Sequence, residues 1–340
     1  MSEPAVLPTV SVVLATYDRC HLLAEHLPVL LADPAATEVI VVDDGSSDDT
    51  AALLASLATT HLNLVPVTIP NSGTDVARRT GVERANGEVV LLLDDDVRPS
   101  EGLVTGHATR HAAETGIVLV GYMPTELPAR RAPGSFATEL YAREYETVVS
   151  RYEHDPTTIL RSLWNGNVSI RRGDYLRAHT GARWPHAGYH EDANLGIACE
   201  RAGLVGRFDR TLLGAHRHRV SLGTFRRTGR RIGYGNRELH ERHGDILGPY
   251  DPDHGLEGLG PALRRLVAAA DRPARGRALA GALHAVTLGA GHLRWWWLER
   301  RAGQLLRRVE IRRGARRSAT SVAPGDGRAD PVGWPASQAS

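Results

Sequence analysis

The sequence predicts an α/β protein with a mainly parallel, open sheet flanked by helices and followed by a C-terminal helical extension. Short runs rich in β-branched residues alternate with helical stretches over the first 121 residues. Such alternation is typical of parallel sheets, whose strands are joined by helical crossovers. Beyond residue 245 only helical patterns remain. We therefore expect an N-terminal sheet region and a separate helical region.

Five apolar runs predict the buried strands of the sheet, at residues 10–15, 38–42, 63–69, 88–93 and 117–121. Helical stretches with leucines on one face lie between them. One of these follows Asp18 and another follows Ser47 and Asp48, which are plausible helix caps. Open α/β sheets bind ligands at the carboxyl ends of their strands. The residues that follow each strand are therefore the first candidates for a functional site.

Composition excludes several classes of protein. The net charge of +2 predicts no general affinity for nucleic acid. Two cysteines and no visible secretion signal suit a reducing, cytoplasmic setting. All 41 basic residues are arginine, which excludes lysine chemistry and a phosphate-binding loop that needs lysine. No G-x-G-x-x-G follows an early strand, so the sequence does not predict a dinucleotide-binding fold.

Three consecutive aspartates, Asp94, Asp95 and Asp96, follow the strand at 88–93. Their carboxylates repel one another, so folding alone gains nothing from this arrangement. A divalent cation such as Mg²⁺ or Mn²⁺ would neutralise them and could in turn bind a diphosphate. A plain surface loop is the alternative, because loops also collect aspartate. After the third strand, Arg78 or Arg79 could add charge-assisted bonds to the same phosphates.

The first two strands end in groups that suit a nucleoside. Thr16 and Tyr17 end the first strand, and Asp43 and Asp44 end the second. Either aspartate can accept a hydrogen bond from a base N–H while Tyr17 stacks beside the ring. When they occur singly, such residues are more often turn formers or packed side chains. Their order at successive strand ends favours one shared crevice.

The strand-end segments together resemble the family 2 glycosyltransferases, whose nucleotide-binding domain has the GT-A fold. The resemblance covers roughly residues 8 to 240 and rests on the stretches "VSVVLATYDR", "VIVVDDGSSDDT", "NSGTDVARRTG" and "VVLLLDDDV". The last of these resembles the metal-binding D-x-D element, with Asp94 and Asp96 as its outer aspartates. The chain departs from the family at Arg79, where asparagine is usual, and at Val97, where a further acid is common.

This resemblance implies a metal-dependent, inverting transfer of a sugar from a nucleoside diphosphate, by family habit UDP, to an acceptor hydroxyl. The implied cofactor is a divalent cation, Mn²⁺ or Mg²⁺, and the acceptor is unknown. The residues expected at the donor are Thr16, Tyr17, Asp43, Asp44, Arg78 and Asp95. The residues expected at the metal are Asp94, Asp96 and His216. Two alternatives remain: a nucleotidyltransferase with the same crevice, and a non-catalytic module that binds nucleotide sugars.

A Glu-Asp pair is expected to supply the catalytic base. Glu191 and Asp192 open a helical stretch, and a helix N-terminus stabilises an ionised carboxylate. The segment resembles the family element in which such a pair begins a helix, and we predict Asp192 as base and Glu191 as its neighbour. A simple acidic helix cap is the alternative. His190 stands where the family often has glycine.

Two histidines near the end of the matching region are candidate metal or diphosphate ligands. His216 and His218 are two residues apart, so both would lie on one face of a strand. A histidine here resembles one that completes metal or diphosphate binding in some relatives, and His216 is preferred. Surface or hydrogen-bonded histidines are the alternative.

The expected organisation is a catalytic domain at 8–245, a helical extension at 246–317 and a disordered tail at 318–340. The catalytic domain would divide into a nucleotide-binding half (8–121) and an acceptor half (122–245). In the extension, residues 294–317 combine an apolar stripe with nine arginines. Such a helix could lie on the inner face of an anionic membrane as a peripheral contact, or it could pack on the protein.

Overall fold

The computed structural model describes residues 6–180, 190–256 and 258–316. The chain divides into two compact units. Unit 1 consists of Met1–Glu126, Glu144–Arg183 and Asp192–His218, and unit 2 consists of Leu127–Arg143, Trp184–Glu191 and Arg219–Ser340. The expected boundaries at 121, 245 and 317 stay predictions. The expected disorder at 318–340 concerns residues outside the described ranges.

Unit 1 contains a mixed sheet with the strand order β3-β2-β1-β4-β7-β6-β8-β5. The strands are β1 (Val10–Thr16), β2 (Ala36–Asp43), β3 (Leu64–Thr68), β4 (Val89–Leu93), β5 (Val97–Pro99), β6 (Ile117–Tyr122), β7 (Asn167–Arg171) and β8 (Val205–His216). The five strands expected from the apolar runs are β1 to β4 and β6. Most of their apolar side chains are buried, as a sheet covered by helices on both faces requires, and the exceptions include residues of the edge strand β3.

Strands β1 to β4 form the parallel part of the sheet. Strand β1 pairs in parallel with β2 and β4, and β2 pairs in parallel with β3. Strand β7 then runs antiparallel between β4 and β6. The short β5 pairs antiparallel with the end of β8, where Val97 lies opposite His216. The predicted α/β class is therefore confirmed, and the carboxyl ends of β1, β2 and β4 lie along one edge.

Among the described residues, seven α-helices lie between the strands of the sheet. They are α1 (Cys20–Leu31), α2 (Thr50–Ala58), α3 (Thr74–Arg84), α4 (Leu103–Ala113), α5 (Phe136–His154), α6 (Arg172–His179) and α7 (Glu191–Arg201). The leucine face of α1 is buried in the core of unit 1 together with residues of β1, β2 and β4. This packing orients the loops at the carboxyl edge of the sheet.

Unit 2 is built mainly from α8 (Leu222–Leu247), α9 (Pro261–Ala268), α10 (Pro273–His292) and α11 (Trp296–Gly314). The backbones of α8 and α11 approach so closely that a Cβ on Gly233 would lie 1.8 Å from the carbonyl oxygen of Ile311. The buried Glu310 of α11 pairs with Arg226 and Arg230 of α8 and with Arg313. No helix in the described ranges has the length and apolarity to cross a bilayer.

The apolar stripe expected in residues 294–317 is largely used inside unit 2. Ala302 and Val309 are buried, and Leu305 packs at the edge of the same cluster. This is the packing alternative of the two that the amphipathic pattern left open. Trp295, the first residue of the stripe, is exposed, and the peripheral membrane contact expected for residues 294–317 stays a prediction.

Candidate functional site

The loops after β1 and β2 are joined by one carboxylate. Asp18 adopts a left-handed backbone conformation, with φ of 52°. Its Oδ1 accepts hydrogen bonds from the backbone N–H groups of Ser47 (2.6 Å) and Asp48 (3.2 Å). Asp18 therefore connects these loops instead of capping α1, whose first residue is Cys20. The connection holds the ends of both strands in a fixed relation, with Tyr17 half-buried beside it.

Asp43 and Asp44 have different surroundings, although the sequence did not distinguish them. Both oxygens of Asp44 accept backbone hydrogen bonds, from Ser72 (2.7 Å) and Gly73 (2.8 Å). These two bonds order the loop that leads into α3. Asp43 is buried and uses Oδ1 to accept from the N–H of Ser46 at 2.9 Å. Of the two, Asp43 keeps more hydrogen-bonding capacity for a ligand.

The three aspartates after β4 turn to three different partners. Asp94 pairs with Arg78. Asp95 accepts a hydrogen bond from the hydroxyl of Thr16 at 2.8 Å. Burial and the neighbouring Asp96 raise the pKa of Asp95 to about 7. The mutual repulsion of the triplet is therefore relieved by one cation and one hydroxyl within unit 1.

The third aspartate, Asp96, lies in a cluster with two histidines. Its oxygens lie 3.1 Å from Nε2 of His216 and 3.7 Å from Nδ1 of His218. Burial alone would raise the pKa of Asp96, but the charge and hydrogen bond of His216 hold it well below the ordinary value. Asp96 in turn raises the pKa of His216 against the opposing effect of burial.

These three residues fit a divalent cation. One ligand atom from each of Asp96, His216 and His218 lies within 4.8 Å of the others. One carboxylate oxygen and two imidazole nitrogens form a mixed donor set, which suits Mn²⁺ better than Mg²⁺. Both histidines that the sequence offered are thus brought to one place. The cluster does not include Asp94, so its expected role as a metal ligand stays a prediction.

Asp192 lies beside Arg78 and the segment before β7. Its Oδ1 is 3.5 Å from a guanidinium nitrogen of Arg78, and its Oδ2 accepts a hydrogen bond from the backbone N–H of Asn165 at 3.2 Å. Burial raises the pKa of Asp192, and the Arg78 cation opposes this rise. A raised pKa makes the ionised carboxylate of Asp192 a stronger base.

The segment that contacts Asp192 also holds a polar side chain that we did not predict. Asn165 is buried, and its Oδ1 has no hydrogen-bond partner among the described residues. A buried amide oxygen without a hydrogen-bond donor costs stability, so a ligand that donates a hydrogen bond to Oδ1 would bind favourably here. The adjacent Gly166 lets the backbone of this segment pass close to the carboxylate of Asp94, because a Cβ on Gly166 would lie 2.8 Å from Oδ2 of Asp94. The only sequence signal was an asparagine directly before a glycine.

The residues before Asp192 belong to unit 2. Glu191 is the first residue of α7, as expected for an acidic pair that opens a helix. His190 has φ of 68°, the left-handed region in which glycine is favoured, so the glycine often found there in the family has a conformational reason. Its Nε2 is 2.5 Å from Oδ1 of Asn236, which fixes the imidazole.

Comparison with known proteins shows which family and which proteins the chain resembles. Residues 11–173 match the family model described as glycosyl transferase family 2. The chain is 31% identical over 122 residues to glycosyltransferase AglE of Haloferax volcanii, covering 34% of this chain and 40% of that protein. It is 36% identical over 104 residues to the succinoglycan biosynthesis protein ExoO of Rhizobium meliloti, covering 29% and 30%.

Two further matches extend the comparison. An undecaprenyl-phosphate 4-deoxy-4-formamido-L-arabinose transferase of Sodalis glossinidius is 34% identical over 104 residues, 29% of this chain and 32% of that protein. These alignments span only 30% to 40% of the relatives' lengths. A mannosyltransferase of Pyrobaculum calidifontis, solved with GDP-mannose and Mn²⁺, shares the fold at a TM-score of 0.54 and 18% identity. That alignment covers 92% of this chain and 88% of the other.

Proposed function

We propose that the protein moves a sugar from a nucleoside diphosphate sugar to an acceptor hydroxyl, and the match of residues 11–173 to the family model glycosyl transferase family 2 supports this. The observation that supports this most is the neighbourhood of two sites within unit 1. Arg78 contacts both Asp94 of the aspartate triplet and Asp192. Asp94 is two residues from Asp96 of the proposed cation cluster, so the proposed cation and the proposed base would lie near one another, as a single displacement requires.

The donor end of the proposed site lies at the edge formed by β1, β2 and β4. Asp43 would accept a hydrogen bond from the base, with Tyr17 stacking beside it, while Thr16 and Asp44 support their neighbours through the contacts described above. Asp96, His216 and His218 would hold the divalent cation, for which we propose Mn²⁺. When bound, the cation would stabilise the negative charge of the departing diphosphate.

At the acceptor end, Asp192 acts as the base. It takes the proton of the acceptor hydroxyl while the acceptor oxygen bonds to the anomeric carbon. The bond from that carbon to the diphosphate oxygen breaks in the same displacement, so the configuration inverts. The proton ends on Asp192, and the negative charge ends on the nucleoside diphosphate. The cation of Arg78 favours the ionised form of Asp192 until this step.

The donor and acceptor require a direct screen. UDP is the donor nucleotide that we propose, and GDP belongs in the panel because the mannosyltransferase of similar fold was solved with GDP-mannose. Purified protein would be incubated with each nucleotide sugar and Mn²⁺, and nucleoside diphosphate release would be measured with and without a chelator. We expect chelator-sensitive release from one donor. The absence of release from every donor, with or without acceptors, would contradict the proposal.

The same assay separates the alternatives. Donor binding in a calorimetric titration without hydrolysis or transfer would indicate a binding module. Release of pyrophosphate from a nucleoside triphosphate and a sugar phosphate would indicate a nucleotidyltransferase. The acceptor panel should include a polyprenyl phosphate, since one relative is named for transfer to undecaprenyl phosphate. It should also include a polysaccharide, a peptide and small hydroxyl compounds.

A further inference from the structure

The exposed face of α10 has an unusual composition for a surface helix. Residues 278–291 contain no arginine, lysine, aspartate or glutamate. One side of this stretch packs inside unit 2 through the buried Ala280 and Ala290. The outward side carries the exposed small residues Gly281, Ala282, Ala285 and Gly289, and Val286 (45% exposed) and Leu288 (38% exposed) lie on opposite flanks of the helix. Surface helices normally place charged residues on their outer side, so an uncharged apolar outer side indicates a surface that binds a partner.

The turn between α10 and α11 continues this apolar exposure. Leu293 is 61% exposed, Trp295 is 59% exposed and Trp297 is 71% exposed. The guanidinium carbon of Arg301 lies 5.8 Å from the centre of the Trp297 ring. Large aromatic side chains are seldom left in water, but tryptophan is favoured at the boundary between lipid headgroups and acyl chains.

Exposed arginines precede and follow the apolar stretch in the sequence. Residues 258–298 contain six arginines and a single acidic residue, Asp271. That aspartate is already paired with Arg312 of α11. Five of the six arginines are exposed and form no ion pair with another described residue, namely Arg265, Arg272, Arg275, Arg277 and Arg294. The positive charge of this region is therefore available to an anionic surface.

We propose that the exposed face of α10 and the turn at 293–297 dock unit 2 on an anionic phospholipid bilayer. This surface, here called the α10 face, differs from the stripe of α11, which is used for packing inside unit 2. Its small alanines and glycines, the exposed tryptophans of the turn and the exposed arginines together suit a bilayer surface with anionic headgroups. A second copy of the chain fits less well, because a two-fold contact would bring arginines against arginines.

The proposal does not depend on sugar transfer, so vesicle flotation of the full chain tests it without an activity assay. Vesicles of phosphatidylcholine alone would be compared with vesicles that also contain phosphatidylglycerol, each at low and high salt. We expect flotation only with the anionic vesicles, weakening as salt screens the arginines. The fluorescence of Trp295 and Trp297 should shift to shorter wavelength on binding.

Two variants target the surface without touching the core. Ala285→Glu puts a charge on the exposed face of α10, and Trp295→Ser with Trp297→Ser removes the aromatic anchors. Each should weaken partition into anionic vesicles about tenfold or more. Leu62→Ser is the matched control, because Leu62 is 95% exposed in unit 1, and it should bind as the wild type does. Circular dichroism of each variant verifies the fold.

Three results would overturn the proposal. The first is that the wild type fails to float with anionic vesicles. The second is that the folded Ala285→Glu variant floats as well as the wild type. The third is a dimer that dissociates in the tryptophan variant while no form binds vesicles, which would make the α10 face a contact between two copies.

Discussion

A guanidinium nitrogen of Arg78 lies 3.5 Å from Oδ1 of Asp192, and the same side chain pairs with Asp94. From the sequence we expected Arg78 to contact the donor phosphates. In the structure it connects the aspartate triplet to the proposed base. Only 11% of its side chain is exposed, so solvent weakens these interactions little. The ionisation of Asp192, the proposed base, therefore depends on Arg78, which was expected to bind the donor.

Replacing Arg78 should change the pH dependence of transfer. Burial raises the pKa of Asp192 and Arg78 lowers it, so in Arg78→Gln the pKa should rise further. Activity needs the ionised carboxylate, so the acidic limb of the kcat/KM profile should move to higher pH. Arg79→Gln is the control, because Arg79 is more exposed and pairs with Glu83 on the same helix. An unshifted limb in Arg78→Gln would argue against this coupling.

The metal cluster predicts a ranking of variants. His218→Ala and His216→Ala should each weaken Mn²⁺ binding about tenfold or more, since each removes one proposed ligand. Asp96→Ala should abolish Mn²⁺-dependent donor release while the fold survives. Asp94→Asn should weaken Mn²⁺ binding less, because Asp94 pairs with Arg78 instead of the histidines. Calorimetric titration of Mn²⁺ measures the ranking, and a larger loss in Asp94→Asn than in His218→Ala would reverse our assignment.

The base is tested by separating transfer from donor binding. Asp192→Asn keeps the shape and the hydrogen bond from Asn165 but cannot take a proton. Transfer should fall about a hundredfold or more, while donor affinity in a calorimetric titration should change little. Glu191→Gln serves as the neighbouring control and should be milder. Normal transfer by Asp192→Asn together with an inactive Glu191→Gln would exchange the two roles.

The buried amide of Asn165 should contact the sugar. Its Oδ1 lacks a partner within the described residues, and its backbone already holds Asp192. We expect Asn165→Ala to lower affinity for the whole nucleotide sugar about tenfold, in line with the loss of one or two hydrogen bonds. Affinity for the free nucleoside diphosphate should be unchanged. Equal losses for both ligands would mean that the change disturbs the site as a whole.

Two buried histidines of unit 1 predict a loss of stability in acid. His107 lies between Ser169 (2.7 Å) and Asn167 (3.0 Å), and His111 also reaches Ser169 (2.9 Å). Burial lowers the pKa of His107 to about 3 and that of His111 to about 4. The unfolded chain takes up these protons near the ordinary value of 6.5. The two histidines therefore contribute their full share of folding stability above pH 6.5, and this share is lost as the pH falls towards their pKa values in the folded protein.

Urea unfolding at pH 7 and pH 5 measures this contribution. Each histidine should reduce the free energy of unfolding by about 2 kcal/mol at pH 5 relative to pH 7. In His107→Gln the difference in unfolding free energy between pH 7 and pH 5 should be smaller by the amount that one histidine contributes, about 2 kcal/mol. His154→Gln, at an exposed position, should retain the full dependence. Equal dependence in both variants would show that other groups cause the acid sensitivity.

The strands and the positions of the aspartates could be predicted because they depend on local patterns. A buried strand needs consecutive apolar residues, and a parallel sheet places the ends of β1, β2 and β4 at one edge. The order of residues along the chain was therefore enough to place the aspartates 94–96 at the edge of the sheet where ligands are expected. The acidic start of α7 followed from helix periodicity in the same way.

Contacts between distant segments were decided only by the tertiary structure. Asp96 meets His216 because β5 pairs antiparallel with the end of β8, a register that no short pattern encodes. Arg78 meets Asp192 because α3 and the start of α7 lie near the same edge. The role of α11 also required the fold, since an amphipathic stripe suits lipid and protein equally. The sequence by itself determined which faces are apolar, and packing of α11 within unit 2 decided which of them remained exposed, because burying one face excludes it from any other partner.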